Sequence, residues 1–169
     1  IPFEAALAEG RPAAEPAPAS PGDVACLLYT SGTTGFPKGA MLSHANTLFN
    51  AGSCERTLGY REDDVGLVTL PLFHVTALHS QLVALLALGA TVVLQREYDT
   101  RRMLELAARH AATALFLVPA VYKLVTLRDD LASFDLSRVR LAAFGGAPMD
   151  PETIRALGRL LPGVELHNC

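Results

Sequence analysis

Charge is sparse in this 169-residue sequence. Only 18% of the residues are charged, and the formal net charge is −3 at pH 7. The charges are scattered, whereas proteins that bind nucleic acids usually carry a basic patch. We therefore expect no nucleic-acid partner. Half of the residues are hydrophobic, which is typical of a globular domain.

Long apolar runs and cysteine clusters are also lacking. The longest apolar run, 82–94, is shorter than the roughly 18 residues that a membrane-spanning helix needs. The three cysteines, Cys26, Cys54 and Cys169, have no metal-ligand spacing, so we predict no metal site from them. An odd number of scattered cysteines indicates reduced thiols and a cytoplasmic protein.

The Walker phosphate loop is absent as well. That motif requires a second glycine five positions after the first, followed by lysine and a hydroxyl residue. Counting from Gly32, Pro37 stands where the second glycine is required, and Lys38 is followed by Gly39. This spacing disfavours a kinase or an ATPase.

A different glycine-rich loop is present directly after the apolar run 24–29. Glycines let the backbone approach an anion closely, successive N–H groups form an anion-binding concavity, and lysine adds a compact positive charge. A surface turn with the same composition is the alternative interpretation. The predicted phosphate-binding residues are Thr30, Ser31, Gly32, Thr33, Thr34, Gly35 and Lys38.

Apolar strands and amphipathic helices alternate along the rest of the chain. This order predicts an α/β fold with a mostly parallel sheet, helices on both faces, and strands that are buried on both sides. Ser43, Thr100 and Asp150 are the expected N-caps. We predict strands at about 24–29, 65–69, 91–95, 114–118, 139–143 and 164–167, and helices at about 43–58, 75–88, 100–110, 119–128 and 151–161.

Three loops are expected at one edge of this sheet. Ligands bind outside the carboxyl ends of strands in open α/β sheets. The glycine-rich loop follows the first predicted strand, 71–74 follows the second, and 144–148 follows the fifth. Residues 1–22, with a possible short helix at 1–10 and a Pro/Ala-rich connector, precede this domain, which we place at 23–169.

The string TSGTTGFPKG, continued by GAMLSHAN, resembles the signature of the adenylate-forming (AMP-binding) superfamily, in its acyl-CoA synthetase branch. The resemblance implies that 23–169 is part of the large N-terminal adenylation domain, truncated at its C-terminal end. It also implies a phosphate-binding role for the glycine-rich loop. No complete catalytic set is present, because the family's later Tyr-Gly-x-Thr-Glu segment and C-terminal lysine are missing.

Two further strings resemble segments of the same superfamily. LPLFH resembles the segment that lines the acid pocket, which implies an acyl-substrate role for Phe73, His74, Val75 and Thr76. Because 75–78 are uncharged, we expect an apolar acid. The GGAP turn resembles the family's adenine-binding turn, although a tight strand-to-helix turn also explains it. The implied adenine-binding residues are Gly145, Gly146, Ala147 and Pro148.

The resemblance implies activation of a carboxylic acid, with a fatty acid favoured, by ATP and Mg²⁺, followed by thioester formation with coenzyme A. An aryl-CoA ligase, an acyl-AMP ligase or a peptide-synthetase domain is the alternative within the superfamily. A non-catalytic nucleotide-binding remnant is the alternative from another class. We expect the 169-residue chain to be a fragment that is inactive by itself.

Overall fold

The computed structural model describes residues 4, 5, 8, 10, 16–32 and 35–169. A two-stranded antiparallel hairpin is formed by β1 (Val24–Thr30) and β2 (Lys38–Ser43). The glycine-rich loop is the connection of this hairpin, since Thr30 pairs with Lys38. The predicted helix at 1–10 falls largely outside the described residues.

A separate five-stranded sheet forms the body of the domain. All of its strands are parallel, in the order β4-β3-β5-β6-β7. The predicted α/β class with a parallel sheet is therefore confirmed. The strands are β3 (Val65–Val68), β4 (Thr91–Leu94), β5 (Ala114–Leu117), β6 (Leu141–Phe144) and β7 (Glu165–Asn168).

Helical segments connect these strands. The segment after β3 is a π-helix, Thr76–Val83, that continues into the short helix α2 (Ala84–Ala87). A short 3₁₀ turn, Leu131–Ser133, precedes β6. The helices are α1 (His44–Leu58), α2 (Ala84–Ala87), α3 (Thr100–Arg109), α4 (Pro119–Thr126) and α5 (Pro151–Leu160).

Two apolar clusters lie on opposite faces of the sheet. Side chains alternate across a strand, so Ala114 and Phe116 of β5 face the cluster built with α1 and α2. Leu115 and Leu117 face the larger cluster built with α3, α4 and α5. Helices on both faces were predicted, and the central strands β5 and β6 are fully buried as expected.

A buried ion pair joins the amino ends of three strands. Asp64, which is 2% exposed, precedes β3 and pairs with the Arg140 guanidinium before β6. The hydroxyl of Thr113, before β5, donates to Asp64 at 2.5 Å, and the Arg61 backbone N–H donates at 2.8 Å. Arg140 also donates to the carbonyl of Gly59 at 2.7 Å. The carboxylate thus has several partners in an otherwise apolar region.

Helix starts follow the expected capping chemistry with one correction. Ser43 caps α1 and Asn46 completes a capping box, while Asp150 caps α5, so both predictions are confirmed. Thr100 is not the cap of α3. The cap is Asp99, whose carboxylate accepts the Arg102 N–H at 2.7 Å, because it lies one residue outside the first helical turn.

Two other predictions need correction. The strand after Val24 does not belong to the parallel sheet, since β2 returns from the loop and pairs with it. The prediction that strands are buried on both faces is also wrong for the outer strands. β1 is mostly exposed, and the edge strands β4 and β7 are only partly buried. Each of these strands has a hydrogen-bonded neighbour on one side only within the described residues.

Two further features of the described residues are the state of the cysteines and the length of the helices. Cys26, Cys54 and Cys169 all carry free thiols, as expected. Within the described ranges, no helix combines the length and the apolar character required to cross a membrane.

Candidate functional site: a cleft between two helices and a glycine turn

The glycine-rich loop requires glycine at two described positions. Gly32 and Gly35 have positive φ angles of 66° and 86°, in the left-handed region. A methyl group on Gly32 would collide with the carbonyl oxygen of Phe36 and would lie 3.7 Å from Cγ of Lys38. The loop therefore folds closely around Gly32, with the stem of Lys38 beside it.

The other predicted phosphate-binding residues that the structure describes face solvent. Thr30, Ser31, Gly35 and Lys38 are exposed, so their donors are open to a ligand. Thr33 and Thr34 lie outside the described residues, and their phosphate-binding role stays a prediction. The loop closes a hairpin and does not follow a strand of the parallel sheet, so it belongs to a separate element and contributes no residue to the cleft described below.

The glycine turn after β6 lies at the carboxyl edge of the parallel sheet. Gly146 has a φ of 83°. A methyl group on Gly145 would lie 2.9 Å from the carbonyl oxygen of Cys169, and the Cys169 N–H donates to the Phe144 carbonyl at 2.9 Å. The end of β7 thus packs against Gly145, which requires a residue without a side chain. Ala147 and Pro148 follow as exposed residues.

A cleft of about 280 Å³ opens between α1, the π-helix and this glycine turn. Thr76 comes from the π-helix, and Gly145 and Gly146 come from the turn, so the structure brings together two of the three segments singled out by sequence. The wall from α1 was not predicted from the sequence. The lining residues are Asn50, Ser53, Cys54, Thr57, Leu58, Thr76, Ser80, Phe116, Gly145, Gly146 and Cys169.

No permanently charged side chain lines this cleft. Burial raises the pKa of the Cys54 thiol, and an opposing hydrogen bond with Ser80 offsets the rise in part. Burial also raises the pKa of the Cys169 thiol. Both thiols are therefore protonated near neutral pH, and the cleft is an electrically neutral site with hydroxyl, amide and thiol groups.

The other predicted acid-pocket residues lie outside the cleft walls. Phe73 is 72% exposed, and its ring centroid lies 4.5 Å from that of the exposed His74. Val75 is also exposed. Phe73 lines a separate groove of about 700 Å³ between the ends of β3 and β4. The acyl-substrate role of these three residues stays a prediction.

The π-helix also buries polar side chains that do not line the cleft. His79 and Gln81 are almost fully buried, and within the described residues His79 Nε2 and Gln81 Nε2 have no hydrogen-bond partner. Burial lowers the pKa of His79. π-Helical turns often occur at functional sites. Here the segment presents Thr76 and Ser80 to the cleft.

A metal site is not evident from the protein side chains. In the described part of the chain, no group of three or more His, Cys, Asp or Glu side chains could hold an ion. The expected Mg²⁺ therefore has no ligand set among these residues, and we assign it none.

The described residues form an α/β domain with a cleft at the carboxyl edge of its parallel sheet and a separate glycine-rich loop. The chain matches the family described as AMP-binding enzyme over residues 2–169. It therefore belongs to the AMP-binding enzyme family, as the sequence predicted.

Individual relatives show how much of such an enzyme is present. A 4-coumarate–CoA ligase 5 of Oryza sativa subsp. japonica is 40% identical over 148 residues, which are 85% of this chain and 28% of the relative. The N-terminal domain of FACL13 from Mycobacterium tuberculosis is 31% identical with a TM-score of 0.81, covering 91% of this chain and 38% of that one. Apo MatB from Rhodopseudomonas palustris is 30% identical with a TM-score of 0.83, and the match covers 98% of this chain and 32% of that one. The chain thus spans just over a quarter of the length of the rice relative.

Proposed function

We propose that these residues belong to a longer enzyme that activates a carboxylic acid with ATP and transfers the acyl group to coenzyme A. The observation that carries the proposal is the shared cleft, where Gly145 and Gly146 of the implied adenine turn meet Thr76 of the implied acid segment. Family membership and the similarity to a 4-coumarate–CoA ligase support the same chemistry.

The reaction has two steps. In the first, a carboxylate oxygen of the acid attacks the α-phosphorus of ATP, the bond to pyrophosphate breaks, and an acyl-adenylate forms. In the second, the sulfur of coenzyme A attacks the acyl carbon and displaces AMP, while the thiol proton passes to a base. The first step requires two anions to be held together, which is a positioning task.

Residues of this chain contribute chiefly to the first step. Thr30 to Lys38 direct backbone N–H groups, hydroxyls and an ammonium group at the phosphates, where charge develops on departing pyrophosphate. A preorganised donor of this kind is typically worth about 3–4 kcal/mol in the transition state. The turn from Gly145 to Pro148 borders the adenine, and the cleft accepts the tail of the acid. Mg²⁺ dependence is part of the proposal, and we assign no ligand for the ion among the described residues.

The identity of the acid is the finer question. The sequence favoured a fatty acid, whereas an aryl acid is the alternative that the 4-coumarate–CoA ligases among the relatives support. An acyl-AMP ligase would stop after the first step. We place the enzyme in the cytoplasm, which the three free thiols support.

The test measures pyrophosphate release by the full-length protein with ATP, Mg²⁺ and a panel of short, long and aromatic acids, with and without coenzyme A. We expect release with at least one acid, acyl-CoA formation when the thiol is present, and a decrease of about 100-fold or more in kcat/KM for Lys38→Ala. Lys123→Ala is the matched control, since Lys123 on α4 lies beside Asp150 and lines neither the loop nor the cleft.

Other results of this assay would identify the alternative functions. Adenylate without thioester identifies an acyl-AMP ligase. ATP binding without pyrophosphate release from any acid contradicts the proposal and favours the non-catalytic nucleotide-binding protein. The isolated 169-residue chain should not form adenylate, and turnover by it would show that our assignment of roles to missing segments is wrong.

A further inference from the structure

Two of the three cysteines line the same cleft. Cys54 belongs to α1 and Cys169 directly follows β7, and both are among the lining residues, whereas Cys26 belongs to β1 of the hairpin and is not. All three thiols are free. Because Cys54 and Cys169 are far apart in sequence, only the fold brings them to one site.

A contact between α1 and β7 shows that the two cysteines lie at a similar height. Nδ1 of His167 is 3.1 Å from the carbonyl oxygen of Thr57. From this contact, Cys54 lies three residues back along α1, about 4.5 Å at 1.5 Å per residue. Cys169 lies two residues further along the chain, about 6.6 Å at 3.3 Å per residue. Both steps lead towards the carboxyl edge of the sheet, because the end of α1 is at the amino edge, where Gly59 accepts from Arg140.

Both thiol groups lie on the side of the sheet that α1 covers. The Cys169 N–H donates to the Phe144 carbonyl at 2.9 Å, so the strand pattern extends to this residue. Cys169 therefore shares a face of the sheet with His167, which contacts α1. Cys54, 7% exposed, is buried in the apolar cluster on that face. The charge of a Cys169 thiolate would raise the pKa of Cys54, an effect that requires the two sulfurs to be near each other.

Neither thiol has a strong partner that would prevent oxidation. Cys54 accepts a long hydrogen bond from the Asn50 amide at 3.8 Å, and sulfur is a weak acceptor. Cys169 is exposed in the described residues, so a small oxidant can reach it. Among these residues, no third side chain joins the pair to form a metal site. Disulfides in cytoplasmic proteins are usually transient, and they are catalytic or redox-sensing.

We propose that Cys54 and Cys169 form a reversible disulfide when the protein meets hydrogen peroxide, and that this bond inactivates the enzyme. The Cys169 thiolate attacks one peroxide oxygen, which gives a sulfenic acid and hydroxide. The Cys54 sulfur then attacks the Cys169 sulfur and displaces its hydroxyl group. The two thiol protons complete two water molecules, so two thiols and one peroxide give one disulfide and two waters. The inactivation rests on the function proposed above.

The disulfide would act on the glycine turn that borders the cleft. A disulfide requires its two Cα atoms to lie about 4.4–6.8 Å apart, so it would hold α1 and the end of β7 at a fixed short distance. The carbonyl oxygen of Cys169 packs closely against Gly145, 2.9 Å from the position of an added methyl group. A constraint on Cys169 is therefore passed to the implied adenine-binding turn. We expect pyrophosphate release to fall in proportion to the fraction of linked protein.

Peptide mapping of the full-length protein tests the bond directly. Trypsin cleaves after lysine and arginine, so Cys54 lies in peptide 39–56, Cys169 lies in the peptide that begins at residue 160, and Cys26 precedes both. The protein is treated with hydrogen peroxide, blocked with N-ethylmaleimide and digested without reductant. We expect the two peptides to be joined, with a mass lower than their sum by two hydrogen atoms. Dithiothreitol should separate them.

Variants connect the bond to activity. Pyrophosphate release with ATP, Mg²⁺ and an accepted acid is measured before oxidation, after oxidation and after dithiothreitol, and each variant is compared only with itself. Cys54→Ser and Cys169→Ser should each lack the loss that dithiothreitol reverses. Cys26→Ser is the matched control, because Cys26 does not line the cleft, and it should show the same reversible loss as the unmodified protein.

The outcomes separate this inference from the function on which it rests. The pairing is overturned if peroxide oxidises Cys169 alone to a sulfinic acid, or if no linked peptide forms when the thiols have been oxidised. A linked peptide with unchanged pyrophosphate release overturns the inactivation and leaves the ligase function standing. No release by the reduced protein with any acid refutes the proposed function and the inactivation with it, while the peptide map decides separately whether the bond forms.

Discussion

Two glycines of the phosphate loop should respond very differently to the same substitution. Gly32 and Gly35 both have positive φ angles, so alanine at either position is strained by roughly 1–2 kcal/mol. At Gly32 the new methyl group also meets the carbonyl oxygen of Phe36, which belongs to the backbone and cannot rotate away. At Gly35, no atom of the described residues lies within 4 Å of a methyl group.

The magnitude follows from what each change does to the loop. If the strain at Gly35 weakened transition-state binding in full, kcat/KM would fall by about fivefold to thirtyfold. At Gly32 the loop must move as well, which displaces the backbone N–H groups around it and the neighbouring stem of Lys38. Losing even one aligned donor removes about 3–4 kcal/mol. We therefore expect Gly32→Ala to lower kcat/KM by about 100-fold or more.

The assay is steady-state pyrophosphate release by the full-length protein, with ATP varied at saturating acid. Circular dichroism and thermal unfolding of both variants would show that the fold is retained. Equal losses in the two variants, or a larger loss for Gly35→Ala, would refute the reasoning, because the collision at Gly32 would then have no functional consequence.

Two further predictions concern stability of the full-length protein. Asp64→Ala should lower the free energy of unfolding in urea by about 3–5 kcal/mol, because Arg140 loses its buried partner. Glu105→Ala, which removes an exposed partner of Arg101, should cost less than about 1 kcal/mol, and similar losses would contradict the assignment. Asp150→Ala should lower the melting temperature at pH 7, and the difference should shrink below about pH 4. The N–H and hydroxyl of Thr153 hold the pKa of Asp150 below its ordinary value, so its stabilising effect is lost as the carboxylate is protonated; a difference that stays constant as the pH falls below about 4 would contradict this.

The parts of the fold that were predictable from sequence have local causes. The central strands β5 and β6 are short, continuous apolar runs, and the helices between strands show helical spacing with recognisable caps, as at Ser43 and Asp150. Apart from the strand at 24–29 and the possible helix at 1–10, each predicted strand and helix has a counterpart within two or three residues. Packing preserves these patterns because the side chains that define them are the ones that are buried.

The hairpin was missed because its second strand has little local signal. Lys38–Ser43 is short, contains Gly39 and Ala40, and is mostly exposed, so neither alternation nor an apolar run marks it as a strand. Its partner β1 has the apolar character of a buried strand but is largely exposed in the described residues. The pairing of the two depends on how the loop closes, which sequence spacing does not reveal.

The candidate site also has parts that the sequence predicted and a part that it did not. The loop and the glycine turn were identified because each is a continuous string in which glycine is required by the backbone. The α1 wall was missed, although the polar spacing of Asn50, Ser53 and Thr57 could have indicated it. Such a stripe usually faces solvent. Only its position opposite the π-helix distinguishes it from an ordinary exposed face.

The difference between the loops and the α1 wall limits what a motif can identify. The glycine-rich loop consists of residues that are consecutive in sequence, so a motif can identify it. The cleft is instead lined by every third or fourth residue of α1 and by Thr76 and Ser80 of the π-helix, which begins 18 residues after α1 ends. A substitution at Asn50 or Ser80 would therefore change the cleft without changing any motif. The loops indicate the family of the chain, whereas the chemistry of the cleft depends on the side chains of α1 and the π-helix together.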